Sequence, residues 1–142
     1  MNHVIKLFLR LAISIGFLSA VADRFGLWSP EVSAWGNWDN FVASTGQLNP
    51  WWPEALIPGL AVVATLAEIV FSICLILGFK TALFAKLSGI LLLLFGISMT
   101  FSTGLKSALD YSVFSVAAAA FALSLLKEKY WELDSLLGKS KA

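Results

Sequence analysis

Residues 57–79, IPGLAVVATLAEIVFSICLILGF, limit what this chain can fold into more than any other stretch. The run is long enough to cross a bilayer, since about 20 apolar residues suffice at roughly 1.5 Å of rise each. Its only acidic or basic residue is Glu68, near the middle. That carboxylate lies roughly 15 Å of helix from either end. A charge at that depth costs on the order of 3 kcal/mol by insertion scales. The chain must therefore give Glu68 a partner or keep it protonated.

The rest of the chain is of the same kind. It is 58% hydrophobic and 13% charged, with mean hydropathy +0.82, against about 25% charged residues in soluble domains. Residues 1–142 read as one integral membrane domain, all-α, with the lipid bilayer as its first partner. The net charge of +1 gives no reason to expect nucleic acid. The single cysteine, Cys74, and the lack of a CxxC exclude a thiol–disulfide relay within the chain. The single histidine, His3, excludes bis-histidine haem ligation and a His/Cys metal cluster. No metal site and no intrinsic cofactor are expected.

Four spans are predicted, at about 4–23, 57–78, 82–101 and 108–126. The first is interrupted by Lys6 and Arg10. It reads as a helix with Lys6 snorkelling and Asp23-Arg24 at the far interface, or as a signal peptide with Ala20-Val21-Ala22 as the cleavage site. The helix is preferred, because removing the segment would take away the best partner of Glu68. Gly78 suits a helix C-cap and Thr81 an N-cap, which makes a tight hairpin of the second and third spans. Lys86 lies about one turn inside the third span, where it either snorkels or has a buried role. In the fourth, Ala108, Ser112, Ser115, Ala119 and Ala122 form a small-residue stripe for close helix approach. Residues 127–142 read as an amphipathic surface helix that frays.

The long connection between the first two spans holds five of the six tryptophans: Trp28, Trp35, Trp38, Trp51 and Trp52. Ser29-Pro30-Glu31 has the features of a helix start. A short amphipathic helix over 29–45 is predicted, either lying in the membrane interface, where indoles favour the headgroup level, or packed as a cap over the bundle mouth. With the N-terminus cytoplasmic, Lys6, Arg10, Lys80, Lys86, Lys127, Lys129, Lys139 and Lys141 fall on that side, leaving Arg24 and Lys106 opposite. The asymmetry predicts both termini in the cytoplasm.

Arg10 and Glu68 differ in depth by roughly 9 Å in an antiparallel pair of helices. An extended arginine closes that gap, so a buried Arg10–Glu68 pair is the structural expectation, with Lys86 as a further member of the polar cluster. Alternatively Glu68 lines a cavity, anchors a ligand headgroup or carries a proton. Asp110, three residues after Ser107, reads as a capping box at the start of the fourth span. The sharper alternative groups it with Asp23, Arg24 and Lys106 as an outer rim.

Together, Leu9-Arg10-Leu11 in the first helix, Glu68 in the second, the turn Leu77-Gly78-Phe79-Lys80-Thr81 and an acid opening the fourth span resemble DoxX-type membrane proteins. The resemblance covers nearly the whole chain and implies a four-helix bundle of the bacterial inner membrane. Some members of that family are associated with thiosulfate:quinone oxidoreductase or with membrane complexes handling oxidative stress. The residues themselves lead to the expectation of a non-catalytic membrane subunit, or a bundle that binds a quinone- or lipid-like ligand, with Arg10 and Glu68 as its core. The alternative is a membrane component of an oxidoreductase that passes electrons to quinone. Because the chain has no residues to hold a redox centre, that role would need quinone or a partner redox subunit. A homo-oligomer is the other possible assembly.

Overall fold

The computed structural model describes residues 2–129 and 131–139. They form helices α1 (Asn2–Arg24), α2 (Trp38–Leu48), α3 (Ile57–Leu77), α4 (Thr81–Thr103), α5 (Leu105–Asp110), α6 (Val113–Leu125) and α7 (Leu133–Lys139). A single 3₁₀ turn, Glu54–Leu56, leads into α3. No strand occurs among the described residues. Three helical segments, His3–Arg24, Glu54–Leu77 and Thr81–Thr103, are long and apolar enough to cross a membrane.

Polar residues inside and apolar residues outside define how these helices pack. On α3 the buried positions are Ile57, Ala61, Thr65, Glu68, Ser72 and Leu75, one face at helical spacing. Every polar side chain of the helix apart from Cys74 lies on that face. The opposite face presents Val63, Leu66, Val70 and Ile73, all exposed. Such an arrangement is unstable in water and stable in hydrocarbon, where polar groups seek the bundle interior. Helix α1 buries Lys6, Arg10, Ser14, Phe17 and Val21 on one face and exposes Phe8 and Ile15 on the other.

Helices α1 and α3 run antiparallel, with their register marked by two serines. The Ser14 hydroxyl donates to the Ser72 carbonyl at 3.2 Å, and the Ser72 hydroxyl to the Ser14 carbonyl at 3.3 Å. Helices α4 and α6 are also antiparallel and meet through glycines. A Cβ on Gly89 would stand 2.9 Å from the Phe121 ring, and one on Gly96 would stand 2.8 Å from Phe114. Both phenylalanines thus fill space that only glycine leaves open. The buried stripe of α6 is Ala117, Ala120 and Leu123. The stripe expected from sequence is not the buried one, since Ser112, Ser115 and Ala122 are exposed.

Three boundaries differ from the expectations. The helix expected over 29–45 begins only at Trp38, where Asn37 caps it by accepting the Asn40 N–H at 2.9 Å. The N–H groups of Ala34, Trp35 and Gly36 are taken by the Asp23 carboxylate, so they cannot enter a helix ladder. The segment 102–106, which lies between the third and fourth predicted spans, is mostly helical. The hydroxyls of Thr100, Ser102 and Thr103 donate to carbonyls one turn back, at 2.7, 2.7 and 2.9 Å, and α4 runs to Thr103 before Gly104 ends it. The fourth apolar segment is then broken at Ser112, which is left-handed at φ 56°. Its main helix, α6, has 13 residues, about 20 Å of length. Ser107 lies within α5 and Asp110 ends it, so the capping box is not formed.

The tail differs as well. It leaves α6 in extended conformation at Leu126 and turns left-handed at Trp131, φ 49°. It then returns to the α3–α4 turn, which the first turn of α7 contacts through Asp134. The part of the predicted tail helix at residues 130 and 140–142 lies outside the described residues.

Candidate functional site

Two buried charge clusters occupy opposite ends of the α1–α3 pair. The first is built on Glu68. Its partner is Arg24, whose Nη1 stands 2.5 Å from Glu68 Oε2 and whose Nη2 donates to Oε1 at 2.9 Å. Both side chains are almost wholly buried. Nη1 also donates to Thr65 Oγ1 at 2.7 Å, and that hydroxyl donates in turn to the Ala61 carbonyl at 2.9 Å. The guanidinium lies 3.9 Å from the ring centroid of Phe41 and 5.4 Å from that of Trp35. One charge-assisted hydrogen bond, a second ion-pair contact and a ring face hold the desolvated guanidinium, while its Nε and Glu68 Oε2 have no hydrogen-bond partner among the described residues.

The neighbouring Asp23 fixes the cover over this pair. Its carboxylate accepts from the N–H groups of Ala34 at 2.7 Å, Gly36 at 3.1 Å and Trp35 at 3.3 Å, and from the Ser33 hydroxyl. The segment that carries Trp35 is thereby tied to the end of α1. Consecutive residues thus do separate work: Asp23 holds the loop and Arg24 holds Glu68.

The second cluster is built on Arg10 and Lys6. Arg10 Nε donates to the Leu75 carbonyl at 2.8 Å and Nη2 to the Ile76 carbonyl at 2.9 Å. These carbonyls close α3, and although that of Leu75 also accepts the Gly78 N–H at 3.2 Å, a guanidinium there adds a donor to each and complements the negative helix end. Glu132 of the tail completes the cluster, 2.9 Å from Lys6 Nζ and 3.6 Å from Arg10 Nη1. Lys6 Nζ also donates to the Glu128 carbonyl at 2.5 Å.

The expected Arg10–Glu68 pair is therefore not formed. The serine register puts Glu68 level with residue 18 of α1. Arg10 is then about 12 Å of helix to one side and Arg24 about 9 Å to the other. The nearer arginine takes the carboxylate, and Arg10 takes the α3 carbonyls. Lys86 belongs to neither cluster and is exposed on the outer surface of α4. No outer rim unites Asp23, Arg24 and Asp110. The first two are buried, while Asp110 is exposed and paired with Lys106 at 2.6 Å, one turn away on α5. Sequence reasoning missed Thr65, Phe41, Glu132 and Asp134. Only Thr65 carried a local signal, since it lies one turn before Glu68 on the same face.

Beside the Arg24–Glu68 pair runs a groove of about 400 Å³ lined by Phe25, Trp38, Val62, Thr65, Leu66 and Ile69. Phe25 and Trp38 are stacked at 5.9 Å, with an interplanar angle of 14°. Phe25, Val62 and Leu66 are exposed, so the groove opens on the apolar flank of the bundle. Thr65 is its one polar residue, and it hydrogen-bonds Arg24 behind the wall. The site can hold an apolar body while a polar chain of Thr65, Arg24 and Glu68 stands next to it. A second concavity of about 390 Å³, lined by Gly26, Trp28, Pro30 and the segment 33–36, lies in the loop that Asp23 organises. Among the described residues no group of three or more His, Cys, Asp or Glu side chains could hold a metal ion.

Fold and site together define an all-helical protein with three membrane-length apolar helices and a buried polar seam. No protein-family model, no curated protein and no solved structure matches the chain.

Proposed function

We propose that this chain is a four-span, DoxX-like protein of the bacterial cytoplasmic membrane, with both termini in the cytoplasm. In this proposal it is a non-catalytic subunit or binding bundle that takes a quinone- or lipid-like molecule into the groove beside α3. The observation that carries the reading is the apolar groove whose one polar residue, Thr65, is bonded to a buried Arg24–Glu68 pair. Ligand sites are typically apolar concavities with a few placed polar groups. The open side of this one lies among exposed apolar residues, so a membrane-soluble ligand enters from lipid without crossing water. Glu68 serves there as the counter-ion that keeps Arg24 fixed against Thr65.

A photoactivatable short-chain quinone in lipid nanodiscs tests this. The expected result is labelling concentrated on Trp38, Leu66 and Ile69, competed by unlabelled quinone and lost when Leu66→Trp fills the groove. Labelling spread evenly over the exposed faces of α1, α3 and α4 would overturn it.

A further inference from the structure

Glu132 and Asp134 are two residues apart in the tail and bind different helices. The Glu132 carboxylate is buried, 4% exposed, between Lys6 and Arg10 of α1. The Asp134 carboxylate accepts the N–H groups of Lys80 at 2.8 Å and Thr81 at 3.0 Å. Those groups open α4, whose own N-cap residue supplies no side-chain hydrogen bond. Helix α4 is thus capped by a side chain more than fifty residues away. The backbone makes contact too: the Asp134 N–H donates to the Gly78 carbonyl at 3.1 Å. A Cβ on Gly78 would stand 2.6 Å from Glu132 Cα, so the tail lies directly on the α3–α4 turn.

The receiving surface belongs to the bundle, not to the tail. Arg10 is held by the Leu75 and Ile76 carbonyls, Lys6 lies one turn away on the same face of α1, and the α4 N-terminus offers its N–H groups. Two cations and a helix N-terminus make an acceptor for two carboxylates at this spacing. The tail reaches it through residues 127–129, which form neither helix nor strand. It behaves as a peptide ligand tethered to its own receptor. A short link next to a docked terminal element is the arrangement from which copies exchange identical segments.

We infer that this end of the bundle is a receptor for the Glu132-Leu133-Asp134 segment, and that it accepts this segment from a second copy of the chain as well as from its own tail. The docked contacts are the same in both cases. The balance is therefore set by the effective concentration of the tethered tail against the density of copies in the membrane. A copy whose receptor is blocked can still donate its tail, and a copy whose tail is disabled can still receive one.

Complementation of full-length chains tests this. The receiving copy carries Glu132→Gln with Asp134→Asn, the donating copy carries Lys6→Met with Arg10→Met, and the two bear different affinity tags. Neither copy alone docks a tail, so the residue-134 N–H, which donates to the Gly78 carbonyl only when the tail is docked, exchanges rapidly with deuterium in each. Co-expressed, they are expected to co-purify about tenfold or more above either copy paired with itself, with the donor's Asp134 N–H protected from exchange. Gly78→Leu, which blocks the receptor with a side chain and keeps both cations, serves as a second donor should the double methionine variant fail to assemble. Mixed pairs that neither co-purify nor regain protection, while the wild-type Asp134 N–H is protected, would overturn the inference.

Discussion

The choice of Arg24 over Arg10 as partner of Glu68 can be measured by two double-mutant cycles. Removing one member of a buried pair strands the other charge, at about 3–5 kcal/mol. The two members of this pair are not equivalent. Without Glu68, Arg24 keeps the Thr65 hydroxyl and the Phe41 ring at 3.9 Å, a cation–π contact worth up to about 2 kcal/mol when desolvated. Without Arg24, no other cation stands within ion-pair distance of Glu68 among the described residues. Glu68→Gln should therefore fall at or below the lower end of that range, and Arg24→Met at or above the upper end. The double variant should cost less than the sum by about 2 kcal/mol or more, since no desolvated charge remains. Arg10→Met combined with Glu68→Gln should instead be additive within about 0.5 kcal/mol, because the two share no partner. Thermal or denaturant unfolding in one detergent gives all six values. Coupling between Arg10 and Glu68 larger than that between Arg24 and Glu68 would refute the assignment.

Asp23→Ala should leave the N–H groups of Ala34, Trp35 and Gly36 without their acceptor, costing about 2 kcal/mol and opening the loop to limited proteolysis; an unchanged digestion pattern would count against the anchoring role. Gly78→Ala should destabilise by about 1–2 kcal/mol, since Gly78 sits at φ 67° and its new Cβ meets the tail backbone, and faster hydrogen exchange at the Asp134 N–H should report it. Gly96→Ala should cost about 1–3 kcal/mol by overpacking against Phe114, and Phe114→Leu in the same chain should recover most of it in a melting experiment. Brominated lipids should quench Trp51 and Trp52, both exposed, more than the half-buried Trp35 when each is kept as the sole tryptophan. Equal quenching would place the loop differently.

What the sequence by itself determined about this protein is local or depth-dependent. The run at 57–79 had to be a long apolar helix, because no other structure satisfies so many backbone groups in hydrocarbon. Gly78 had to end it, because glycine takes the left-handed cap at least cost, and it does so at φ 67°. Glu68 had to find a cation or a proton, because its depth follows from counting residues. Tertiary structure decided everything that depends on which helix face meets which. Counting residues along the helices pointed Glu68 to Arg10 and left Arg24 at the far interface. The register set by Ser14 and Ser72, and the carbonyls of Leu75 and Ile76 at the end of α3, sent one arginine to the carboxylate and the other to the backbone. The start of α2 depended on Asp23 capturing N–H groups that the local sequence assigns to a helix. The break at Ser112 has no glycine or proline to announce it. Glu132 and Asp134 carry no local signal, because in a charged tail a carboxylate that will be buried looks the same as one that stays in water. Only the folded bundle, by placing Lys6, Arg10 and the bare start of α4 at one end, distinguishes them.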